Sequence, residues 1–381
     1  MRVGINVEQL LSPSPGGIGR YSGQLAMLLA TVAPTDDVVP FVARHPRPAV
    51  EAARRAAGLV GAPVVLPLPR PLLYEAWVRW GQPPLPLGAP ALAAVDLVHA
   101  PSVAVPPLGR SPLVVTAHDA ASEVCPDAFT ARGRAFHRRG LAAAARRADL
   151  VITVSQAAAD EIVTHSPIPA ERMRVVPNAV DPPAPDEEAD TALRRRLGLS
   201  GPYVLWIGSL EPRKGVGTVV AAMGRRARAG ARPRVPLVLA GYRGWLGEGI
   251  VTADDRRALG GDLVELGPLD EATLWAVYRG AEVFAFPSRH EGFGLPPLEA
   301  MSQGVPVVAS DLPACREVLG DAAVLVAPGD VAAWADALDG LLADEADRRS
   351  RARAGRVRAA VYTPERLVSG TRAVYREVSG G

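Results

Sequence analysis

Short continuous apolar runs, each followed by a longer Ala- and Arg-rich stretch, recur along the chain in two rounds. In the first round RVGINV from Arg2, VVPFVA from Val38, DLVHA from Asp96, LVVTAHD from Leu113 and LVITVS from Leu150 read as strands. They are continuous rather than alternating, the pattern of strands covered on both faces. Residues 18–30, 48–58 and 132–148 read as helices between them. Such an alternation builds a parallel, doubly wound sheet, because parallel neighbours need a helical crossover.

The alternation restarts after residue 200. YVLWIGSL, VPLVLAG, LVELG, AEVFAFPS, VPVVAS and AAVLVAP read as six further strands. Between the rounds, DPPAPDEEAD is rich in proline and acid, and LRRRLGLS reads as a short helix entering a new domain. The linker is therefore placed at 183–200. Beyond Gly329 the pattern is helical, with Trp334, Leu338, Leu341 and Leu342 on one stripe. Thr363 and Pro364 form an N-cap and first-turn pair that opens a last helix to Val378. The expected architecture is α/β: two doubly wound domains, 1–182 and 201–362, with an interdomain cleft and ligands at the carboxyl ends of the strands.

Composition narrows the function classes. At 381 residues, 48% of them apolar, the chain has material for two cores. A net charge of +2 makes no field that demands nucleic acid. Two cysteines, Cys125 and Cys315, exclude a disulfide scaffold and a four-cysteine zinc site and suit a reducing cytoplasm. No apolar run reaches the ~18 residues of a membrane span, and MRVGINVEQLL opens as a strand rather than a signal peptide. The expected location is cytoplasmic, at most peripheral on the inner face of the membrane. The basic residues are forty-one arginines and a single lysine, Lys214. Arginine serves at most exposed sites, so the one ammonium points to a specific role.

Four segments carry candidate chemistry. The first is Ser288-Arg-His-Glu291-Gly-Phe293-Gly294-Leu295-Pro-Pro-Leu-Glu299. It follows a strand and enters a helix whose N–H groups and dipole favour an anion. Glu291 and Glu299 would repel a phosphate, so both suit sugar hydroxyls. The second is Gly208-Ser209-Leu-Glu-Pro-Arg213-Lys214-Gly215, which also opens a helix. A cationic pair there opposes the dipole, and a bound diphosphate offsets that cost: arginine offers a fork, lysine a point charge. The third is the loop Ser12-Pro-Ser-Pro-Gly16-Gly17-Ile-Gly19-Arg20, which allows close backbone approach but lacks the glycine spacing and the acidic partner of a dinucleotide fingerprint. The fourth is His118-Asp119 at the end of a strand, where histidine can donate, accept or orient.

Plainer readings stand beside three of these. Glu299 is a helix-start carboxylate, the Arg213-Lys214 pair a solvated surface pair, and His118 a satisfied structural histidine. There is no P-loop, no G-x-S-x-G elbow, no H-E-x-x-H and no D-x-D pair. No metal site is expected.

Taken together, the Gly-Gly loop, His-Asp, E-P-R-K-G and E-G-F-G-L-P-P-L-E-A-M resemble the family 4 glycosyltransferases of GT-B fold, the group 1 glycosyl transferases. The resemblance runs through nearly the whole chain, including Val176-Pro-Asn-Ala-Val-Asp181, and its most specific part is the pair Glu291 and Glu299 with seven residues between. It implies two facing Rossmann-like domains, with a nucleotide sugar mainly on the second and the helix 363–381 returning to the first. Arg213 and Lys214 would hold the donor diphosphate. Backbone N–H groups at Phe293, Gly294 and Leu295 would meet phosphate or hexose, Glu291 the sugar hydroxyls and Glu299 the ribose. Gly17 would let its loop approach the diphosphate, His118 would sit by the reacting centre, and backbone at 264–267 would grip the base. The implied catalytic set is His118, Glu291, Lys214 and Arg213.

Ser209 departs from the family, many members of which have arginine there. The Ser/Thr-L-E-P-R-K form resembles a subgroup rich in bacterial mannosyltransferases, which favours GDP-mannose over UDP sugars as the donor. The family reaction retains anomeric configuration by front-face attack, with no cofactor and no metal. The acceptor is a glycan, a lipid-linked molecule or a small molecule. Residues 71–80, with Tyr74, Trp77 and Trp80 near Arg54, Arg55 and Arg70, offer an amphipathic surface for anionic lipid, or else a core helix with arginines outside. A non-hydrolysing sugar-nucleotide epimerase and a non-catalytic nucleotide-sugar-binding protein are the competing functions. An NAD dehydrogenase is disfavoured by the failed fingerprint.

Overall fold

The computed structural model describes residues 1–13, 15–85, 87, 89–109, 111–244 and 249–380. Ser14 of the first glycine loop and Gly381 of the expected last helix lie outside them. The chain divides into two compact units, Met1–Ala179 with Thr363–Gly381, and Val180–Tyr362.

The first unit holds a seven-stranded sheet: β1 (Arg2–Asn6), β2 (Asp37–Val42), β3 (Val64–Val65), β4 (Leu97–Ala100), β5 (Leu113–Thr116), β6 (Leu150–Thr153) and β7 (Met173–Val175). Its order is β3-β2-β1-β4-β5-β6-β7, and every pairing is parallel. Burial on both faces explains the continuous apolar runs. On β5, Val114 joins Leu25, Leu29 and Tyr375 in one core, while Leu113 and Val115 join Trp77, Leu141 and Ala144 in the other. The helices Gly16–Val32, Arg47–Ala56 and Ala131–Arg147 fall where the pattern predicts them. The last helix, Pro364–Ser379, starts at a Thr363 cap whose hydroxyl accepts from the Arg366 amide, and it packs in the first unit.

The second unit holds β8 (Val204–Ile207), β9 (Leu237–Ala240), β10 (Leu263–Gly267), β11 (Val283–Phe286), β12 (Val307–Ser310) and β13 (Ala323–Val326). They form a parallel sheet in the order β10-β9-β8-β11-β12-β13. Trp206 of β8, Val219 and Val220 of the following helix, and the stripe Trp334, Leu338, Leu341 and Leu342 share one core. The chain reverses its direction of growth between β8 and β11, which makes the carboxyl ends of those two strands the switch point of the sheet.

Two expectations change, and of the two readings of residues 71–80 the core helix holds for most of its large side chains. Two strands beyond the expected five, β3 and β7, border the first sheet; each is a two- or three-residue edge strand, only partly covered and too short to stand out in the pattern. Residues 183–200 are not a free linker. Helix Glu187–Arg196 docks on helix Glu271–Gly280, where Asp190 accepts from Arg279 at 2.5 and 2.9 Å and Arg194 donates to the Ala276 carbonyl. Finally, Leu73, Tyr74 and Trp77 of helix Arg70–Trp80 lie in the core, which leaves only Leu72 and Trp80 of its large apolar residues exposed.

Candidate donor site in the second unit

The loop after β8 ends in a tight turn, Pro212–Lys214, and Gly215 then caps helix Val216–Arg228. Gly215 has a φ of 62°, and a Cβ on it would overlap the carbonyl of Pro287 in the loop after β11. The absence of a side chain thus lets the two switch-point loops touch. The Arg289 amide fastens them further by donating to the Arg213 carbonyl at 2.8 Å.

This closeness assembles a charged quartet. Lys214 Nζ donates to Glu291 Oε1 at 2.7 Å, and Ser288 Oγ donates to the same oxygen at 2.8 Å. Arg213 Nη1 donates to the His290 carbonyl at 3.2 Å and lies 3.6 Å from Glu291 Oε2, while its Nη2 donates to Glu211 Oε1 at 3.1 Å. Burial pushes the Glu291 carboxyl up, but the Lys214 and Arg213 charges and the donated hydrogen bonds outweigh it, and the group is held below the usual carboxylate range. Glu211 goes the other way: burial raises it despite Arg213 and Lys214, and Glu291 adds to the rise. The sequence assigns Glu291 to sugar hydroxyls; in the structure it is also the counter-ion of the lone lysine. Ser209, two residues before Glu211, is half-buried and its carbonyl accepts from the Glu211 amide.

Helix Leu295–Ser302 begins at Gly294, whose φ is 96°. Its second and third residues are Pro296 and Pro297, which carry no N–H, so Leu295 supplies the one amide donor among the first three helix positions. The Phe293 ring is buried edge-on against Tyr362, which leaves its backbone as the part available to a ligand. Glu299 is buried too, and its Oε2 accepts from Tyr278 Oη at 2.8 Å. Residues 264–267 lie on the edge strand β10, which has a register irregularity between Glu265 and Gly267.

In the first unit, His118 follows β5. Its Nε2 lies 3.1 Å from the Pro101 carbonyl, which can only accept, so Nε2 carries the proton. Burial lowers the imidazole pKa, and the neutral ring therefore presents Nδ1 as an acceptor. The Tyr21 ring meets it edge-on, with centroids 4.8 Å apart. Gly17 is exposed in the first turn of helix Gly16–Val32, and a Cβ there would meet nothing within 4 Å. Crowding within the unit does not explain that glycine.

Three side chains at these positions escaped the sequence reading. Glu211 lies inside the quoted motif, but only its burial beside Arg213 marks it. Ser288 precedes the motif glutamate by three residues and is the second donor to it. Tyr278 stands on another helix, and no local pattern links it to Glu299. Among the described residues, no group of three or more His, Cys, Asp or Glu side chains is arranged to hold a metal ion. No described helix is long and apolar enough to cross a membrane.

Comparison with known proteins gives these loops a context. Residues 15–183 match the family model described as Glycosyltransferase Family 4, and residues 201–344 match that of Glycosyl transferases group 1. The O-antigen chain mannosyltransferase B of Escherichia coli is 30% identical over 370 residues, 94% of this chain and 96% of that protein. A D-inositol 3-phosphate glycosyltransferase of Xylanimonas cellulosilytica is 34% identical over 268 residues, 64% of this chain and 61% of that protein. Anabaena HepE, solved with UDP and glucose, has a TM-score of 0.75 at 19% identity and covers 99% of this chain and 100% of its own. WaaG, a glycosyltransferase of lipopolysaccharide biosynthesis, has a TM-score of 0.69 at 19% identity, with both chains fully covered. Two parallel Rossmann-like sheets, the E-P-R-K-G and E-G-F-G-L loops meeting at one switch point, and a relative matched along its whole length identify this chain as a glycosyltransferase of family 4, with the GT-B fold.

Proposed function

We propose that this glycosyltransferase moves a hexose, mannose before others, from a nucleoside-diphosphate donor to a glycan, lipid-linked or small-molecule acceptor, with retention and without a metal. The carrying observation is the meeting of Arg213, Lys214 and Glu291 at the switch point of the second unit. Similarity to mannosyltransferases supports the sugar, and the UDP-bound relative supports the ligand class while keeping UDP sugars open.

The chemistry follows from charge. As the nucleoside diphosphate leaves, negative charge grows on phosphate and positive charge on the sugar ring. Arg213 and Lys214 meet the phosphate charge, and the Leu295 amide at its helix start adds a fixed dipole. Both cations are already held by carboxylates and a carbonyl, so little reorganisation remains at the moment of reaction. Glu291 stays ionised, can accept a sugar hydroxyl, and stands as a negative charge for the cationic ring. Glu299 takes the ribose, with Tyr278 fixing its carboxylate. His118 is assigned to the reacting sugar as a hydrogen-bond acceptor at Nδ1, and Gly17 to close approach of its loop. Backbone at 264–267 takes the base, and attack comes from the front face.

Peripheral membrane contact narrows to the exposed Leu72 and Trp80, where Arg79 stacks 5.5 Å from the Trp80 ring centroid. Salt-sensitive co-sedimentation with anionic vesicles tests it, and no binding at low salt would remove it.

The deciding experiment is a thermal-shift screen against GDP, UDP, ADP and their sugar conjugates, followed by assay of nucleoside diphosphate release. A GDP and GDP-mannose preference supports the mannosyl reading. A UDP preference keeps the mechanism and discards mannose. No response to any of them means either that the donor site forms only with acceptor present or that the role is non-catalytic, and repeating the screen with acceptor added separates the two.

A further inference from the structure

Glu211 is the member of the quartet to which the mechanism above gives no task. Its side chain is 2% exposed. One oxygen, Oε1, accepts from Arg213. The other, Oε2, is buried and has no hydrogen-bond partner. An unsatisfied buried carboxylate oxygen is costly, and a protein keeps one only where something else relieves it.

The charge balance of the site shows what does. Without ligand, two carboxylates face two cations and the quartet is neutral. Each phosphate of a nucleoside-diphosphate sugar adds one ionised oxygen. When those oxygens share Arg213 and Lys214 with the carboxylates, part of the cations' charge is taken up by phosphate and both carboxylates gain repulsion. Glu291 retains the Ser288 hydroxyl as a donor. Glu211 is the less exposed of the two, and burial already lifts its carboxyl. The charged groups facing it are Arg213 and Lys214 from its own loop and Glu291 from the loop after β11. The segment after β9 also packs here, through the backbone bridge of Leu210 to Arg243 and through Gly244, where an added Cβ would lie 3.2 Å from Glu211 Cβ.

We propose that Glu211 positions Arg213 and is the proton acceptor of the donor site: binding of a nucleoside-diphosphate sugar brings one proton from solvent onto Glu211 Oε2, and release of the nucleoside diphosphate returns it. Oε1 goes on accepting from Arg213 throughout, so the guanidinium keeps its place while the carboxyl loses its charge. The inference rests on the reading that the diphosphate binds at Arg213 and Lys214.

The test is calorimetric titration of the full chain with GDP-mannose and with UDP-glucose, whose diphosphates do not titrate near neutrality. Each is run at one pH in two buffers of different ionisation enthalpy. The wild-type binding enthalpy is expected to change between buffers by the amount due to uptake of about one proton. Its affinity is expected to weaken by up to about tenfold per pH unit above neutrality. Glu211→Gln is expected to bind with no buffer dependence, because the amide is already neutral. Buffer-independent binding by the wild type overturns the proposal, and so does the same proton uptake in Glu211→Gln. The wild-type measurement stands by itself if that variant does not fold. Failure of both sugar nucleotides to bind the wild type would instead overturn the donor-site reading, so the two failures are distinct.

Discussion

Gly215 and Pro287 stand in such close contact that no side chain fits between them. Seventy-two positions apart in sequence, they join the loop that carries Arg213 and Lys214 to the loop that carries Glu291. Alanine at 215 must adopt a left-handed φ, at about 1–2 kcal/mol, and push the Pro287 carbonyl away. Gly215→Ala is therefore expected to lower the melting temperature by at least ~2–4 °C and to weaken donor binding with it. A variant with wild-type melting and wild-type donor affinity would show that the loops meet by some other means.

Lys214→Ala removes one of the two cations assigned to the leaving diphosphate and the closest ionic partner of Glu291. Loss of a charge-assisted hydrogen bond predicts a fall of about tenfold to a hundredfold in kcat/KM. Donor affinity and turnover fall together, since phosphate is held before and during transfer. Unchanged steady-state kinetics would mean that the phosphate lies elsewhere.

Glu291→Gln separates sugar from nucleotide. Turnover is expected to drop more than affinity for free GDP or UDP, and equal losses would count against the sugar contact. The same variant has a pH signature. The folded-state pKa of Glu291 lies below its unfolded value of about 4.3, so its ion pairing stabilises the native state fully above that value and is lost as pH falls through the folded one. The difference in melting temperature between wild type and variant should shrink as the pH drops from 6 towards 3.

His118 is held neutral by burial, with Nε2 tied to the Pro101 carbonyl. A depressed histidine pKa means that the unfolded chain binds the extra proton first. Stability is therefore highest above the ordinary value of about 6.5 and falls as pH drops below it. Relative to His118→Gln, the wild type should lose melting temperature between pH 6.5 and 5. In the pH–rate profile of the wild type, the acid limb due to His118 should lie below 6.5. A limb at or above that value would contradict the neutral ring.

Much of the fold was legible because buried parallel strands leave an unmistakable trace. A run such as LVVT at β5 must be apolar on both faces, and its alternate residues do face different cores. Caps are equally local, and Thr363 before Pro364 marks its helix within one residue. The edge strands β3 and β7 left no such trace, being short and half-covered. The acidic, proline-rich start of the second unit reads as a linker because nothing in it reveals that Asp190 will find Arg279, which lies on a helix after three intervening strands.

The sequence by itself determined the strand–helix alternation, the family motifs and the residue types gathered for a phosphate-bearing sugar donor. These depend on local periodicity and on short spacings that a linear reading can see. Only the tertiary structure decided which charges neutralise which. The order β10-β9-β8-β11-β12-β13 places the loops after β8 and β11 side by side. Lys214 thereby meets Glu291, Arg213 is divided between Glu211 and the His290 carbonyl, and Glu211 is left with a buried oxygen that lacks a partner. The physical reason is that Coulomb energy and desolvation depend on distance and burial in space, and strand order in a parallel sheet sets both without leaving a mark in the residues that meet.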